Sequence, residues 1–471
     1  MIELPDGIRP NLRTVELGND SPVHLIGIGG AGMSAIAAVL SSIGHPVAGS
    51  DLKDSASLDT LRASGIEVTV GHDPANLASG DLIVARSTAI PDRNTEVVAA
   101  LDRGLAVHSR AEILSAITRL RSTISVAGTH GKTTTSSMLA VVLRHVGASP
   151  SFIIGGEVNE IGSGAVWDRG EFLVVEADES DGTFLALDSS SAIVTSVEPD
   201  HLDLYGDAAT VRMAFAAFLE AVDGPKIVCI DDPDAAEVAA QVNSVTYGTN
   251  AHAMVRIAGF EQRRAGASFR LESDRFDPLD VSIAAPGLHN ARNATGALLL
   301  AVEHGFSPDA AAEGLRRYAG VSRRYEFRGE AAGVTFVDDY AHLPSEVEVT
   351  IAATADGGYD RVIAVFQPHR YSRTGALGAT FGPSFRGADM VVVTDIYSAG
   401  EHPVPGVSGR LVADAVAADP DSPEVVWLPH RSDLVGYLRN ELRDGDLCLT
   451  LGAGDLTSLP DELIAIMGER A

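Results

Sequence analysis

The chain has 471 residues, enough for about three domains at the usual 150 residues each, and 45% of them are hydrophobic. Its formal net charge of −29 repels phosphate backbones and anionic lipid, which argues against a nucleic-acid or membrane-surface role. Any phosphate it binds must be held locally, by backbone N–H groups, metal ions and a few placed cations. No apolar stretch is long enough to span a bilayer, the start MIELPDGIRP lacks a signal pattern, and a cytoplasmic location is expected. Cys229 and Cys448 sit singly in the apolar runs PKIVCI and DLCLTL and read as buried strand residues, not as a disulfide or a metal pair.

In chain order the sequence alternates strands and helices, the pattern of parallel sheets covered by helices. The first segment opens with the strand VHLIGIGG, continues through the helix MSAIAAVLSSIG and the strand HPVAGSD, and later reaches the strand DLIVARS. Its turn Gly27-Ile28-Gly29-Gly30-Ala31-Gly32 satisfies G-x-G-x-x-G between strand and helix, and Asp51 closes the second strand. That is the fingerprint of a diphosphate-bearing nucleotide, since glycines admit close backbone approach and the helix start offers N–H donors. The glycines alone leave NAD and a UDP-sugar equally open.

The second segment begins after TRLRST with ISVAGTHGKTTTSSMLAVVL, again strand, glycine turn and helix. Here Lys132, one of only three lysines (with Lys53 and Lys226), lies in a shortened phosphate loop, with Gly128 four positions before it. The lysine suits the β/γ-phosphates of ATP and the hydroxyl of Thr133 suits Mg²⁺. Glu176, Asp178, Glu179 and Asp181 cluster after the strand EFLVVEADESD, oxygen donors of the kind Mg²⁺ prefers. His201 follows another strand, SAIVTSVEPDHLD, and taken alone is more often structural than a ligand. His289, Asn290 and Asn293 lie in APGLHNARNA and offer imidazole and amide groups for a base or phosphate, although an asparagine at a helix start is usually just a cap.

The third segment, after the helix AAAEGLRRYA and the boundary GVSRRYEFRG, has four units of strand followed by polar residues: TFVDDYAH, RVIAVFQPHRYSR, MVVVTDIYSAGE and DLCLTLGAGD. His369, Arg370, Tyr371 and Arg373 make a local cationic patch that suits a carboxylate or phosphate. Arg323 and Arg324 stand at the boundary, placed to reach a nucleotide held between segments.

Taken together, HLIGIGGAGMS, AGTHGKTTT, EADESD, EPDHLD, GLHNARNA, DDYAH, FQPHRYSRT and DIYSAGE resemble the Mur ligase family across essentially the whole chain. The resemblance implies a three-domain α/β fold: a Rossmann-like domain for a UDP-sugar (1–120), a P-loop ATPase-like parallel sheet for ATP (121–325) and a Rossmann-like domain for an amino acid (326–471). It implies that Gly29, Gly30, Ala31, Gly32, Met33 and Asp51 hold the UDP substrate, replacing the NAD reading. Gly128, Thr129, His130, Gly131, Lys132, Thr133 and Thr134 would cradle the ATP phosphates. Asn290, Asn293, Arg324 and Asp339 would complete the nucleotide site. Thr133, Glu176 and His201 would hold two Mg²⁺ ions, and His342, Arg370 and Arg373 the incoming amino acid and the reacting carboxylate.

The implied chemistry is ATP-dependent joining of L-alanine to the lactyl carboxylate of UDP-N-acetylmuramate through an acyl phosphate. A murein tripeptide-recycling ligase is the alternative. Two departures stand out. The family pattern DDY-[GA]-HHPTE appears as DDYAHLPSE, with Leu343 and Ser345, and the place where other branches carry a carbamylated lysine is Ala216.

Overall fold

The computed structural model describes every residue except 1, 3, 6, 19, 160, 264, 265, 356 and 469–471. It holds three sheets in two compact units, Met1–Ala258 with Arg270–Val281 and Arg292–Tyr318, and Gly259–Phe269 with Ser282–Ala291 and Ala319–Ala471. The compact units therefore group the chain differently from three consecutive segments. Short stretches of the middle segment cluster with the third sheet. Among the described residues no helix is long and apolar enough to cross a membrane.

The first sheet has five parallel strands in the order Glu67–Val70, Val47–Asp51, Val23–Ile26, Ile83–Arg86, Val107–Ser109. The chain leaves Val23–Ile26 towards one side and returns on the other, so the glycine turn lies at a topological switch point, where open sheets leave a ligand crevice. The helix after it, Ala31–Ile43, buries Met33, Ile36, Ala37, Val39 and Leu40. It shares one apolar cluster with Ile153, Leu173 and Val175 of the second sheet.

In that second, ten-stranded sheet the strand Ser122–Ala127 lies between Ser191–Val194 and Phe172–Glu176, parallel to both. It feeds the phosphate loop and then the helix Lys132–His145, buried along its whole run from Thr133 to Leu143. A helix apolar or uncharged on every face is one enclosed by its neighbours. On one side it meets the helix Pro308–Arg316, where Gly314 leaves room against Val142.

The third sheet runs Glu326–Ala331, Val334–Asp339, Asp446–Leu451, Arg361–Phe366, Met390–Val393, Glu424–Trp427. Its central strand Asp446–Leu451 feeds two cores: Leu447, Leu449 and Leu451 on one face, Cys448 on the other. Both cysteines are buried and unbridged. Burial pushes the Cys229 thiol up to about 11 and that of Cys448 to about 12, so neither is a nucleophile near neutral pH.

Strict alternation of strand and helix predicts parallel pairs throughout, and two of the strand pairings among the described residues depart from it. Ser151–Val158 pairs antiparallel with Ser163–Val166, and Glu326–Ala331 with Val334–Asp339. The second hairpin closes through Ala332 and Gly333, both at positive φ (51° and 75°), the conformation whose twist matches paired strands. With alanine in the first position this turn carries no Asn-Gly or Asp-Gly signal, so the edge strand Glu326–Ala331 is not evident from the sequence.

Candidate active site

The glycine turn is built on the strand beside it. Gly27 N–H (2.8 Å) and Ile28 N–H (3.1 Å) donate to the Ser50 carbonyl, and Gly29 N–H donates to Asp51 Oδ2 at 2.9 Å. Asp51 thus points into the turn and takes up one of its N–H groups. Met33 lies beneath it with its side chain buried in the core.

A residue not singled out from the sequence lies beside this turn. A Cβ at Gly32 would fall 2.5 Å from Arg110 Nη1, so a guanidinium lies directly over the turn. Arg110 begins the helix Arg110–Thr118 and also faces Asp181 Oδ2 at 4.0 Å. It is a positive charge beside the expected diphosphate.

Ser50 is held in turn by a buried carboxylate. Glu96, with no exposed surface, accepts from Ser50 Oγ (2.6 Å), Asn76 Nδ2 (2.6 Å) and Asp73 N–H (3.1 Å), and lies 3.1 Å from His24 Nε2. Burial alone would raise its pKa, but the donors from His24, Ser50 and Asn76 prevail and bring it from 4.5 to about 2. Folding therefore gains about 3 kcal/mol from this ionisation above pH 4.5, and the gain is lost as pH falls towards 2. Urea unfolding of wild type and Glu96→Gln should show a stability gap at pH 6 that mostly closes by pH 3. A gap that stays constant with pH would assign the carboxylate no such role.

The phosphate loop is tied to the end of Ser191–Val194. Thr129 N–H donates to the Ser196 carbonyl (3.1 Å), His130 N–H to Ser196 Oγ (3.1 Å), and Glu198 N–H to Thr129 Oγ1 (2.8 Å). The loop needs glycine twice. Gly131 adopts φ +80°, and a Cβ there would lie 2.5 Å from Asn293 Oδ1; at Gly128, φ +136°, a Cβ would collide with Thr195. Asn293 is thus behind the loop, while the buried Asn290 donates its amide to the Pro286 carbonyl at 2.6 Å.

Lys132 Nζ reaches back over the turn to the Gly128 carbonyl (2.8 Å) and pairs with Glu179 at 2.8 and 3.1 Å. Burial works against its charge, but Glu179 and Asp178 hold the ammonium above its ordinary pKa, so it is fully charged. Glu179 is raised by the same burial, which outweighs the pull of Lys132. The acidic cluster is therefore divided in its tasks. Glu179 neutralises the lysine, and Glu176 faces Thr133.

Thr133 Oγ1 donates to Glu176 Oε1 at 3.0 Å, and Gly155 N–H steadies the other carboxylate oxygen at 2.7 Å. A hydroxyl and a carboxylate side by side at the helix start fit Mg²⁺, which takes few protein oxygens and fills its shell with water and phosphate. His201, at φ 52°, begins the helix Leu202–Tyr205 with Nε2 3.4 Å from Asp200 Oδ2. Among the described residues no three His, Cys, Asp or Glu side chains converge into a cage.

In the second unit, Asp339 uses both carboxylate oxygens on backbone, from Tyr325 N–H (2.7 Å) and Ala341 N–H (2.8 Å). Burial raises it to about 6, partly offset by Arg324. Arg323 and Arg324 both lie over the Tyr340 ring, at 4.8 and 5.0 Å from its centroid. His342 Nδ1 lies 3.0 Å from the Tyr340 carbonyl, and Glu346 accepts from the N–H groups of His342 (2.9 Å) and Leu343 (3.1 Å). Leu343 itself is buried, which explains why an apolar side chain suits this position.

His369 joins this group, its ring 5.7 Å from that of His342 and stacked on Tyr397 at 5.9 Å. Burial and the neighbours His342, Arg373 and Arg370 push it down to about 4, so it is neutral and its Nδ1 accepts from Arg373 Nη1 at 3.1 Å. Arg370 follows at φ 69° and leads the helix Tyr371–Leu377 that carries Arg373. Two arginines beside neutral imidazoles have the chemistry that suits a carboxylate.

Family profiles match in order along the chain: Mur ligase family, catalytic domain over residues 22–122, Mur ligase middle domain over 126–301, and Mur ligase, glutamate ligase domain over 323–454. The UDP-N-acetylmuramate–L-alanine ligase of Kineococcus radiotolerans is 46% identical over 459 residues, 95% of this chain and 96% of that protein. The chain belongs to the Mur ligase family. Members of this family are ATP-dependent, amide-forming ligases, and so is this chain by class. The similarly named protein of Pelotomaculum thermopropionicum is 43% identical, over 95% of this chain and 98% of that one. Among solved structures, the UDP-N-acetylmuramate-alanine ligase of Thermotoga maritima superposes with a TM-score of 0.82 at 26% identity, covering 96% of this chain and all of that one. A murein peptide ligase from Psychrobacter arcticus shares the fold, with a TM-score of 0.70 at 23% identity over 95% and 99% of the two chains. The three-domain α/β architecture of this Mur ligase is thereby settled.

Proposed function

We propose that this chain joins L-alanine to the lactyl carboxylate of UDP-N-acetylmuramate, converting ATP to ADP and phosphate, in the cytoplasm and as a step of peptidoglycan synthesis. The observation that carries this reading is full-length identity of 46% to a relative named for that reaction. The site geometry supports it, with a glycine turn under Arg110, a phosphate loop around Lys132 and an arginine pair in the third sheet's domain.

The lactyl carboxylate attacks the γ-phosphorus and ADP leaves, giving an acyl phosphate. The alanine amine then attacks the acyl carbon, phosphate leaves, and the amine gives up its proton. The first step brings a carboxylate against a triphosphate, so charge must be neutralised where it builds up. Lys132 does this at the β/γ-phosphates. Thr133 and Glu176, with His201 at a second position, are the residues to hold two Mg²⁺ ions, which supply further neutralisation of phosphate charge when bound. Asn290, Asn293, Arg324 and Asp339 complete the nucleotide site, and His342, Arg370 and Arg373 orient the amino acid. In this scheme Asp339 acts through the backbone of the Arg324–Tyr325 segment that its carboxylate clasps.

The test is phosphate release from ATP and Mg²⁺ with UDP-N-acetylmuramate and L-alanine added singly and then together. Release only with both present is the expected result. Release with the L-Ala-γ-D-Glu-diaminopimelate tripeptide but not with alanine would move the chain to recycling. No release in either case would overturn the assignment.

A further inference from the structure

The segment after Met390–Val393, carrying Tyr397 and Glu401, has no task in the reaction as described, yet it is wrapped around the arginine pair. Arg370 N–H donates to the Tyr397 carbonyl and Tyr397 N–H to the Pro368 carbonyl, both at 2.9 Å. These bonds fasten Arg370 in its left-handed conformation, which a non-glycine residue holds only where its surroundings fix it. The helix that follows, Tyr371–Leu377, has no cap from its own N-cap side chain. A helix start leaves N–H groups without intrahelical partners, and some other acceptor must serve them.

Glu401 is that acceptor. Its Oε2 receives Ser372 N–H at 3.0 Å and its Oε1 receives Ser372 Oγ–H at 2.6 Å. A carboxylate from a distant loop thus does what a local serine or aspartate does at the N-cap, and it clamps the first turn of the helix that carries Arg373. The same contact draws a negative charge near Arg370 without a direct ion pair, leaving that guanidinium available. We propose that Glu401 is a positioning residue for the amino-acid site, fixing the aim of Arg370 and Arg373 by capping their helix through Ser372. The inference rests on the reading that this site takes the amino acid.

The full-length protein with Glu401→Ala, Glu401→Gln or Ser372→Ala tests it. Glu401→Ala should raise KM for L-alanine about tenfold, the size of losing one helix cap. Its kcat and its KM for ATP and UDP-N-acetylmuramate should stay within about twofold. Glu401→Gln, whose amide oxygen still accepts from Ser372 N–H, should recover most of the loss, and Ser372→Ala should fall between.

Amide exchange across 369–377, followed by mass spectrometry without substrates, reads the cap independently of turnover. Exchange there should quicken in Glu401→Ala. Unchanged exchange, unchanged KM for alanine, or equal increases in all three KM values would each overturn the proposal. Quickened exchange in a protein whose wild type never uses alanine would support the cap and remove the substrate reading instead.

Discussion

Replacing Lys132 by alanine is expected to lower ATP-dependent phosphate release roughly a thousandfold or more, while UDP-N-acetylmuramate binding stays within about twofold. The asymmetry follows from geometry. Lys132 Nζ sits among the carbonyls of the phosphate loop, whereas the first glycine turn, proposed for the UDP substrate, is built from Val23–Ile26, Ser50 and Asp51 on another sheet. Removing the lysine also strands Glu179, which is 4% exposed and depends on that ion pair. Leaving a buried carboxylate without its partner costs about 3–5 kcal/mol, so the single variant also loses stability. The raised pKa of Glu179 softens this, because the carboxyl can take up a proton. Lys132→Ala with Glu179→Gln removes the stranded charge and should refold the site without restoring turnover. Calorimetric titration with UDP-N-acetylmuramate alone, beside phosphate release, separates the effects. Equal loss of binding and turnover in the double variant would show that the two sites are not separate.

The sequence made the local units legible and left their pairings obscure. Each glycine turn is contiguous, a strand, a bend and a helix within some twenty residues, and G-x-G-x-x-G and G-K-T announce themselves because backbone approach to phosphate has few solutions. The acidic cluster after Phe172–Glu176 was evident as a cluster. Its division between Glu179 on Lys132 and Glu176 on Thr133 depends on how two parallel strands register, which composition does not encode. Arg110 over Gly32 and Glu401 on Ser372 are contacts between residues far apart in the chain; Arg110 lies in none of the motifs, and Glu401 ends DIYSAGE without any sign there of its partner. Asp339 enters the nucleotide site only through the family resemblance, and both its oxygens accept from backbone N–H groups. Chemistry that needs neighbours in sequence was readable, and chemistry assembled by the fold was not.

Arg370→Ala and Arg373→Ala should each raise the KM for L-alanine by about ten- to a hundredfold with little change for ATP, as loss of one charge-assisted bond to a carboxylate implies. The two differ in what else they disturb. Arg370 is held through its backbone, its N–H donating to the Tyr397 carbonyl. Arg373 also donates to His369 Nδ1 and stands ahead of Arg370 among the charges that depress that imidazole to about 4. Without Arg373, His369 loses both a donor and a repelling cation, so its pKa should rise towards the ordinary histidine value. A protonated His369 would then appear in the working range as pH falls. The kcat/KM for alanine should stay nearly flat from pH 8 to 5.5 in wild type, as far as His369 is concerned, and decline over that range in Arg373→Ala. Arg370→Ala should decline less. A defect confined to ATP, or identical pH profiles in all three proteins, would contradict the assignment of these arginines to the amino-acid site. A profile that separates them would show that Arg373 holds the imidazole neutral as well as gripping the carboxylate.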